Sequence, residues 1–493
     1  MNAAETPLAR RRARSHLHHL AASLAAAGLL AACAGTPTQQ APGTAEGVPA
    51  QWQAPLPHQG QATDLSRWWQ QFDDPTLAQL VDAAEKVSPT LATARARVEA
   101  ARATRTAAGA ALAPTLNGTA SVVRGRQDFV TPIGTTASAG LQAAWELDLF
   151  GAGRAGRDAA QARLEGAQAG WHDARVSVAA ETALSYVGLR ACEALLEQTQ
   201  ADATSRAETA RLTQLTTKAG FQAPATEALA RASAAQASAQ LTAQRAQCDV
   251  NVKALVALTA IDEPALRSQL AARKAQLPQP AEIGVAAVPG EVLNQRPDLA
   301  AASRDLIAAS ADVSQARAQR LPRISLNGNI TAGRFEGSGI ATNGNLWAIG
   351  PLSVSLPIFD GGTRAANVQA ARARYDEASS VYRGKLRNAV REVEEALVQL
   401  QSTASRNEDA RVAAEGFRAS YRATESRFRG GLASLFELED ARRSAVQAES
   451  QLIDLRRERV AAWIALYRAL GGGWTAGDLT TAASTDTRAT QAQ

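Results

Sequence analysis

The sequence repeats itself after about 210 residues, and this duplication limits the architectures that are open to the chain. The tripeptide at 89–91 recurs in altered form at 297–299, and Gly220 has a counterpart in Gly430 with matching neighbours. Periods of roughly 20–50 residues are typical of solenoids and propellers, in which many small units stack. A period of about 210 residues instead predicts two copies of one larger unit.

Each copy carries a very long helical pattern. Residues 154–215 and 364–427 contain almost no proline and little glycine, and about 62 helical residues would rise roughly 93 Å. A turn with glycine follows each of them, and a helical pattern then returns over about 224–260 and 434–470. Helices of this length need partners along their whole length, as in coiled coils. We therefore predict a mainly α-helical protein built on long helical hairpins.

Two short segments precede each long helix and alternate between polar and apolar residues, as 323–330 does in the second copy. A period of two predicts strands, with glycine-rich turns at 124–134 and 334–344 and a helix before each pair at about 75–112 and 290–320. Strands of about ten residues have the length that a tilted strand needs to cross an outer membrane. The sequence thus predicts a duplicated strand-strand-long-helix unit.

Four strands cannot close a barrel, and an open sheet edge in lipid leaves backbone groups without hydrogen bonds. A dimer would supply eight strands, which fill their own interior, whereas a trimer would supply twelve, which leave a lumen. The polar residues on one face of the strands favour the water-filled, twelve-stranded alternative. The other possibility is a soluble pair of hairpins packed on a helix.

The first 32 residues have the layout of a bacterial secretory signal, with a basic segment at 10–14 and a short apolar one at 20–30. The signal ends in Leu-Ala-Ala-Cys, which resembles the bacterial lipobox, so Cys33 is the predicted lipidation site. Ala34 after the cysteine favours the outer membrane, and the alternative is a plain signal peptide with an incidental cysteine. The predicted segments are a signal peptide at 1–32, a lipidated tether at 33–60, the two repeats at 61–280 and 281–474, and a disordered tail at 475–493.

Charge and histidine content argue against several classes of function. The net charge is +5, and the leader accounts for about +3 of it, so the remaining chain is too nearly neutral for a nucleic-acid surface. Outside the leader only His58 and His172 remain, which leaves little material for zinc or Ser-His-Asp chemistry. The Gly-rich segment 151–156 fits a dinucleotide motif, but helical pattern follows it where a second strand is needed. We expect no enzyme activity, no metal and no cofactor.

The combined motifs resemble the TolC-like outer-membrane efflux factors over about residues 60–474. They are the lipobox, the duplicated unit, the junction at 361–364 and the turn at 429–434, and the ending at 466–474 resembles the lipoprotein branch that serves resistance-nodulation-division pumps. The resemblance implies a homotrimer with a 12-stranded transmembrane β-barrel and a long α-helical periplasmic barrel. It also implies outer-membrane lipid around the barrel, and a periplasmic adaptor protein and an inner-membrane pump as partners.

The leading functional hypothesis is an exit duct of a tripartite efflux system, which would export small molecules such as drugs. One alternative is the exit duct of a type I secretion system, which would pass proteins. Another is a structural envelope lipoprotein that uses its helices only as a stalk. Because the sequence carries no P-loop, the energy for any transport would come from another protein.

Two carboxylates after the second hairpin turn are the candidate periplasmic gate. Glu437 and Asp440 are three residues apart, so they share one helix face, and the paired gate aspartates of the family align with them. Ser434 and Glu437 also fit a capping box, and the two roles are compatible. The aromatic and basic gate partners of the family have no counterparts here, so Lys218 and Arg429 near the tips are the candidate partners.

Cys192 and Cys248 are candidates for a disulfide. Each lies 28 residues from Gly220, the proposed hairpin turn, so an antiparallel helix pair would place them at the same height. The oxidising periplasm permits such a bond. The alternative is a pair of buried thiols whose matching distance from the turn is accidental.

Overall fold

The computed structural model of the chain describes residue 49, residues 51–56, residue 65, and residues 68–72, 74–126, 133–279 and 289–475. The predicted signal peptide and the lipidation site Cys33 lie outside the described residues, as do most of the tether and nearly all of the predicted tail. These expectations therefore stay predictions.

The chain divides into two compact units, and each unit takes residues from both repeats. The sheet unit comprises Ala101–Leu164 and Arg304–Ser379. The helical unit contains the described residues within Pro42–Ala100, Glu165–Ser303 and Ser380–Gln493.

The elements follow the same order in the two halves of the chain. A short 3-10 helix, Trp68–Phe72, precedes them. The first half contains α1 (Pro75–Val87), α2 (Pro89–Ala110), β1 (Thr115–Gly125), β2 (Gly134–Leu147), α3 (Ala152–Lys218), α4 (Pro224–Thr259) and α5 (Glu263–Ala271). The second half contains α6 (Pro289–Leu293), α7 (Pro297–Ala318), β3 (Arg323–Gly337), β4 (Ile340–Ser355), α8 (Thr363–Arg429) and α9 (Leu435–Ala469).

The long helices and their return helices are present, and α3 and α8 each contain 67 residues. The predicted helices before the strands are each divided in two, which the helical periodicity did not indicate. The first breaks at Ser88, because the following Pro89 disfavours helical backbone at the residue before it. Asp74 caps α1 by accepting hydrogen bonds from the amides of Thr76 and Leu77. None of the described helices is both long enough and apolar enough to span a membrane.

The four strands form one antiparallel sheet in the order β1-β2-β3-β4. The prediction of a long glycine-rich turn at 334–344 was wrong, because β3 and β4 continue through most of that segment. Only Ser338 and Gly339 connect them, and both have positive φ, 52° and 82°. Such a two-residue turn matches the twist of the flanking strands, so the strands reach 15 and 16 residues instead of about ten.

An aspartate fixes each passage from strand to long helix. Asp148 accepts a hydrogen bond from the backbone amide of Arg154 at 2.8 Å, and Asp360 accepts one from the amide of Arg364 at 3.1 Å. Each arginine side chain also pairs with its aspartate, at 3.3 and 3.1 Å. These contacts satisfy amides at the helix start that have no intrahelical partner. The Gly-rich segment 151–156 is therefore a strand-to-helix junction.

Aromatic side chains form part of the core of the helical unit. Trp68 is fully buried and stacks on Tyr467 with ring centroids 4.9 Å apart, while Trp69 meets the same tyrosine edge to face. The hydroxyl of Tyr186 donates a hydrogen bond to the capping residue Asp74 at 2.6 Å. The start of the described chain is thus held against α3 and α9 by packing and by one buried hydrogen bond.

Cys192 of α3 and Cys248 of α4 are joined by a disulfide, with their Cα atoms 5.6 Å apart. Both residues are buried, and the bond closes a loop of 56 residues that contains the turn at Gly220. In the chain-entropy account, a loop of this size stabilises the folded hairpin by roughly 4 kcal/mol.

We predict that reductant lowers the thermal unfolding midpoint of the wild-type protein, because it releases this loop in the unfolded chain. The double variant Cys192→Ser/Cys248→Ser should unfold at the lower temperature whether or not reductant is present. Circular dichroism of the detergent-solubilised protein measures both midpoints, and peptide mapping without reductant should recover the linked peptide. Recovery of two free thiols, with no effect of reductant, would contradict the disulfide.

Candidate functional site

The sheet presents two chemically different faces. Ser121 and Ser138 lie side by side on one face, with their Oγ atoms 2.9 Å apart. The register places the following residues on this polar face: Thr115, Asn117, Thr119, Gln142, Ser325, Asn327, Asn329 and Thr331. The opposite, apolar face carries Leu116, Leu141, Trp145, Leu147, Ile324, Leu326, Ile330, Trp347, Ile349, Leu352 and Val354.

The apolar face is exposed in the single chain. Trp347 and Ile349 are 74% and 82% exposed, and Leu352 and Val354 are also exposed. Exposed apolar surface of this extent marks a contact with lipid or with another protein. An apolar face turned outward and a polar face turned inward is the pattern of a transmembrane barrel wall.

Both edges of the sheet lack a partner within the described chain. β1 pairs only with β2, and β4 pairs only with β3. A strand edge with unpaired N–H and C=O groups is a template for pairing with another chain. The sheet therefore has the form of a segment of a larger closed structure.

The two helical hairpins end in the same kind of turn. The amide of Phe221 donates to the carbonyl of Thr216 at 2.9 Å, and the amide of Leu432 donates to the carbonyl of Arg427 at 2.8 Å. Gly220 and Gly431 have φ of 80° and 72°, so the structural equivalent of Gly220 is Gly431 and not Gly430, which the repeat in the sequence had indicated. These are Schellman motifs, in which glycine takes the left-handed position without strain.

Glu437 is engaged at the start of α9. Its Oε2 accepts a hydrogen bond from the Ser434 amide at 2.6 Å, and the Ser434 hydroxyl accepts one from the Glu437 amide at 3.1 Å. This is the capping box, and the hydrogen bond from the Ser434 amide lowers the pKa of the Glu437 carboxyl. The carboxylate remains half exposed, and Arg427 approaches it only to 3.9 Å.

The other predicted gate residues are exposed and are not joined to Glu437 within the chain. Asp440 meets only Arg443, at 3.9 Å, among the ion pairs of the described residues. Arg429 instead pairs with Glu425 on its own helix at 3.1 Å. Lys218 is exposed at the end of α3. The four candidate residues thus lie around the two hairpin ends. Among the ion pairs of the described residues, neither Lys218 nor Arg429 pairs with a candidate carboxylate.

A buried charged cluster near the hairpin ends was not predicted. Glu439 lies between two arginines: Arg442 donates to its Oε1 at 2.5 Å, and Arg206 donates to its Oε2. The Nε–H of Arg206 is also shared between the two carboxylate oxygens of Asp202, Oδ1 at 3.0 Å and Oδ2 at 2.9 Å. The Arg442 side chain is 2% exposed, which makes it one of the most buried charges among the described residues.

Hydroxyl groups complete this cluster and connect four helices. Ser233 of α4 donates to Glu439 of α9 at 2.9 Å, and Ser205 of α3 lies 2.8 Å from the hydroxyl of Tyr421 on α8. Arg442 donates to Ser205 at 3.1 Å and lies over the Tyr421 ring at 5.5 Å from its centre. The cluster therefore ties the hairpin α3–α4 to the hairpin α8–α9 through polar side chains.

Only part of this cluster could be predicted from the sequence. Asp202 and Arg206 are four residues apart and Glu439 and Arg442 are three apart, so each pair could be expected to meet on a helix surface. The contact between the two pairs depends on how separate helices pack, which the helical period does not give.

These features define a class: a channel protein of the outer membrane, with a barrel-wall sheet and long helical hairpins. The sequence pattern of the family described as outer membrane efflux protein matches residues 80–260 and 288–472. The solvent efflux pump outer membrane protein SrpC of Pseudomonas putida is 29% identical over 461 residues, covering 90% of this chain and 96% of SrpC. The pyoverdine export outer membrane protein OpmQ of Pseudomonas putida is 31% identical over 464 residues, covering 91% and 96%.

The fold is that of solved channels of this kind. The structure of the outer-membrane channel OprN matches with a TM-score of 0.80 at 30% identity, covering 89% of this chain and 99% of that one. The chain belongs to the outer membrane efflux protein family. The predicted family, the mainly α-helical fold with a β domain, the outer-membrane location and the function as an efflux exit duct are thereby confirmed.

We predict that Glu439→Ala destabilises the helical unit by about 3–5 kcal/mol, because it leaves the buried guanidinium of Arg442 without its carboxylate partner, whereas the partly buried Arg206 keeps Asp202. Asp440→Ala is the matched control: it removes the next carboxylate along the helix, which is exposed, and should change stability by less than about 0.5 kcal/mol. Thermal unfolding of the two purified variants, followed by circular dichroism, compares them. Equal midpoints would show that the cluster contributes nothing to stability.

Proposed function

We propose that three copies of this chain close a 12-stranded barrel and form the exit duct of a resistance-nodulation-division efflux system. The observation that carries the proposal is the four-stranded sheet with two open edges and two opposite faces. Each unpaired backbone group in lipid costs several kcal/mol, so β1 of one copy must pair with β4 of the next. Twelve strands leave a lumen, and the polar face of the sheet lines it.

The lining of this lumen suits small solutes of many kinds. Its side chains are mostly neutral amides and hydroxyls, of which Asn117, Gln142 and Asn329 occupy adjacent positions across three strands. The names of two relatives with comparable identity refer to very different cargo, solvents for SrpC and pyoverdine for OpmQ. Both facts support a duct that passes what the pump delivers, with the selection of substrate made by the pump. The chain itself acts as a conduit and not as an enzyme.

The hairpin ends are the surface on which a periplasmic adaptor protein docks in this proposal. Phe221 is 82% exposed at the first turn, and Leu432 and Phe436 are 73% and 71% exposed at the second. Apolar side chains this exposed, on rigid turns, favour contact with another protein. The inner-membrane pump then joins the duct through the adaptor. Lipidation at Cys33 would add a second attachment to the outer membrane, beside the barrel itself.

We expect the purified, detergent-solubilised protein to have the mass of three chains and to conduct ions in a planar lipid bilayer. Native mass spectrometry gives the number of copies, and single-channel recording gives the conductance. A trimer without conductance would support the structural stalk instead of the duct. A dimer would contradict the 12-stranded barrel.

Within this duct, Glu437 and Asp440 form the periplasmic gate. Trimerisation brings three copies of each around one axis, and the carboxylates remain exposed in the single chain. The capping hydrogen bonds hold Glu437 in one orientation, and Asp440 is on the same face of α9. A ring of such carboxylates attracts cations and repels itself unless basic groups compensate it. Lys218 and Arg429 at the neighbouring turns are the basic groups available for contacts between copies.

We predict that the double variant Glu437→Gln/Asp440→Asn lowers potassium conductance at low salt roughly twofold, because a ring of six charges is lost. Glutamine keeps the capping box, so the helix start should persist. The difference should vanish at 1 M salt, where the screening length is about 3 Å. Asp454→Asn, which removes a half-exposed carboxylate further along α9, is the matched control. Unchanged conductance and ion selectivity in an assembled double variant would remove both residues from the gate.

A further inference from the structure

Residues that are paired across neighbouring strands form a row, which we call a level. Successive levels on the apolar face are two residues apart along β1, β2 and β3. At the end of the sheet from which the helices continue, Leu147 is paired with Ile324. Six residues from Leu147 along β2, Leu141 is paired with Ile330, and Ile330 is also paired with Trp347 of β4. All the side chains between these levels on this face are apolar or are glycine. This part of the face is the section that lies in hydrocarbon.

The chemistry of the same face changes towards the hairpin turns. One level beyond Leu141 it carries alanines and Asn345, and the next level carries Arg334 beside Asn343. The level after that carries Arg124 and Glu336, both neighbours of Thr135. The outward-facing surface therefore becomes polar and basic within about three levels.

The height of this change matches a membrane boundary. Ala137, which pairs with Arg334, is ten residues from Leu147. Ten residues rise about 33 Å along a strand and about 25 Å along the barrel axis at a tilt near 40°. The apolar band of an outer-membrane barrel is about 25 Å tall. Because the family extends its helices into the periplasm, Arg334 stands at the outer boundary of the membrane, and Arg124 stands about 5 Å above it.

Within the described part of the chain, the two arginines use few of their N–H donors. Arg124 donates there to the Thr135 hydroxyl at 3.5 Å. Arg334 approaches Glu336 at 3.4 Å, but both side chains are about two-thirds exposed, and such a pair contributes little. A guanidinium group binds phosphate through two parallel N–H groups, which makes arginine well suited to a phosphorylated headgroup.

We propose that Arg124 and Arg334 form a docking surface for the phosphate groups of a bisphosphorylated glycolipid in the outer leaflet. The side chains of Asn343 and Asn345 lie on the same face and offer further hydrogen bonds to its sugar and acyl-amide groups. Glu336 opposes this binding, because it adds a negative charge beside Arg334 and at the same level as Arg124. The proposal depends on the barrel only for which face meets lipid, and its readout is independent of conduction.

The test measures binding of bisphosphorylated lipid A to the purified protein by native mass spectrometry, with phosphatidylglycerol and dephosphorylated lipid A as comparison lipids. Arg334→Gln and Arg124→Gln should each weaken binding of the bisphosphorylated lipid about fivefold. Glu336→Gln should strengthen it by a similar factor, since it removes a repulsive charge. Arg323→Gln, on the polar face at the opposite end of the same strand as Arg334, removes one arginine outside the docking surface and should leave binding unchanged.

Opposite shifts in the arginine and glutamate variants, with weaker binding of both comparison lipids, would support the proposal. Equal binding by all four variants would overturn it, as would equal binding of the dephosphorylated lipid. Binding of phosphatidylglycerol as tightly as the glycolipid would assign the patch to anionic lipid in general and overturn the choice of glycolipid. Glu336→Gln tests the sign of the effect without removing an arginine, so the proposal stays testable if an arginine variant fails to fold.

Discussion

The backbone hydrogen bonds at the two edges of the sheet are the constraint on which the rest of the molecule depends. Water can satisfy an open edge in a soluble protein, but hydrocarbon cannot. A sheet of four strands with an apolar outer face therefore needs a partner for each edge in lipid, and in the proposed barrel copies of the same chain supply it. The duplication fits this proposal, because a chain with two copies of a two-stranded unit gives twelve strands in a trimer.

A different constraint applies to the two helical hairpins, α3–α4 and α8–α9. They must be held together at a place where few large apolar residues are available for packing. Near the hairpin ends the described core is small: Leu435 and Leu438 pack there against three alanines and the partly buried rings of Tyr421 and Phe428. The cluster of Glu439, Arg206 and Arg442 lies in the same region and supplies directional contacts between the hairpins. Buried charge pairs gain little stability over apolar packing, but they penalise any arrangement that leaves a charge without its partner.

The sequence predicted local features of the structure better than contacts between residues that are far apart along the chain. Helix length and strand alternation are local patterns. The long helices α3 and α8 lie within three residues of the predicted bounds, whereas β3 and β4 follow the predicted alternation but are longer than the ten residues expected. The break at Ser88 also has a local cause in Pro89, but the helical periodicity on both sides of it obscured the break. The two-residue turn at Ser338 and Gly339 was missed because a glycine-rich segment fits both a loop and a tight hairpin.

The candidate site also contains local features that the sequence predicts and long-range contacts that it does not. The capping box of Ser434 and Glu437 is a pattern of four consecutive residues that the sequence shows directly, and the structure contains it. The contacts of Glu439 with Arg206 join residues 233 positions apart, and no local pattern contains that pairing. Lys218 and Arg429 were selected for closeness to the turns in sequence, and closeness to a turn does not fix the direction of a long side chain.

The two carboxylates proposed for the gate therefore differ in how the chain holds them. In Glu437 the Ser434 amide stabilises the ionised form and lowers the carboxyl pKa, so its charge persists as the pH falls towards the ordinary range of a glutamate. Because the folded pKa lies below the unfolded one, the capping contribution is present above the unfolded value and is lost only as the pH falls through the folded one. Asp440 has no comparable hydrogen bond among the described residues, and its one basic neighbour is 3.9 Å away. In the proposed trimeric gate the three Glu437 carboxylates would thus form a negative ring of fixed orientation, whereas Asp440 would contact cations or basic groups from another copy.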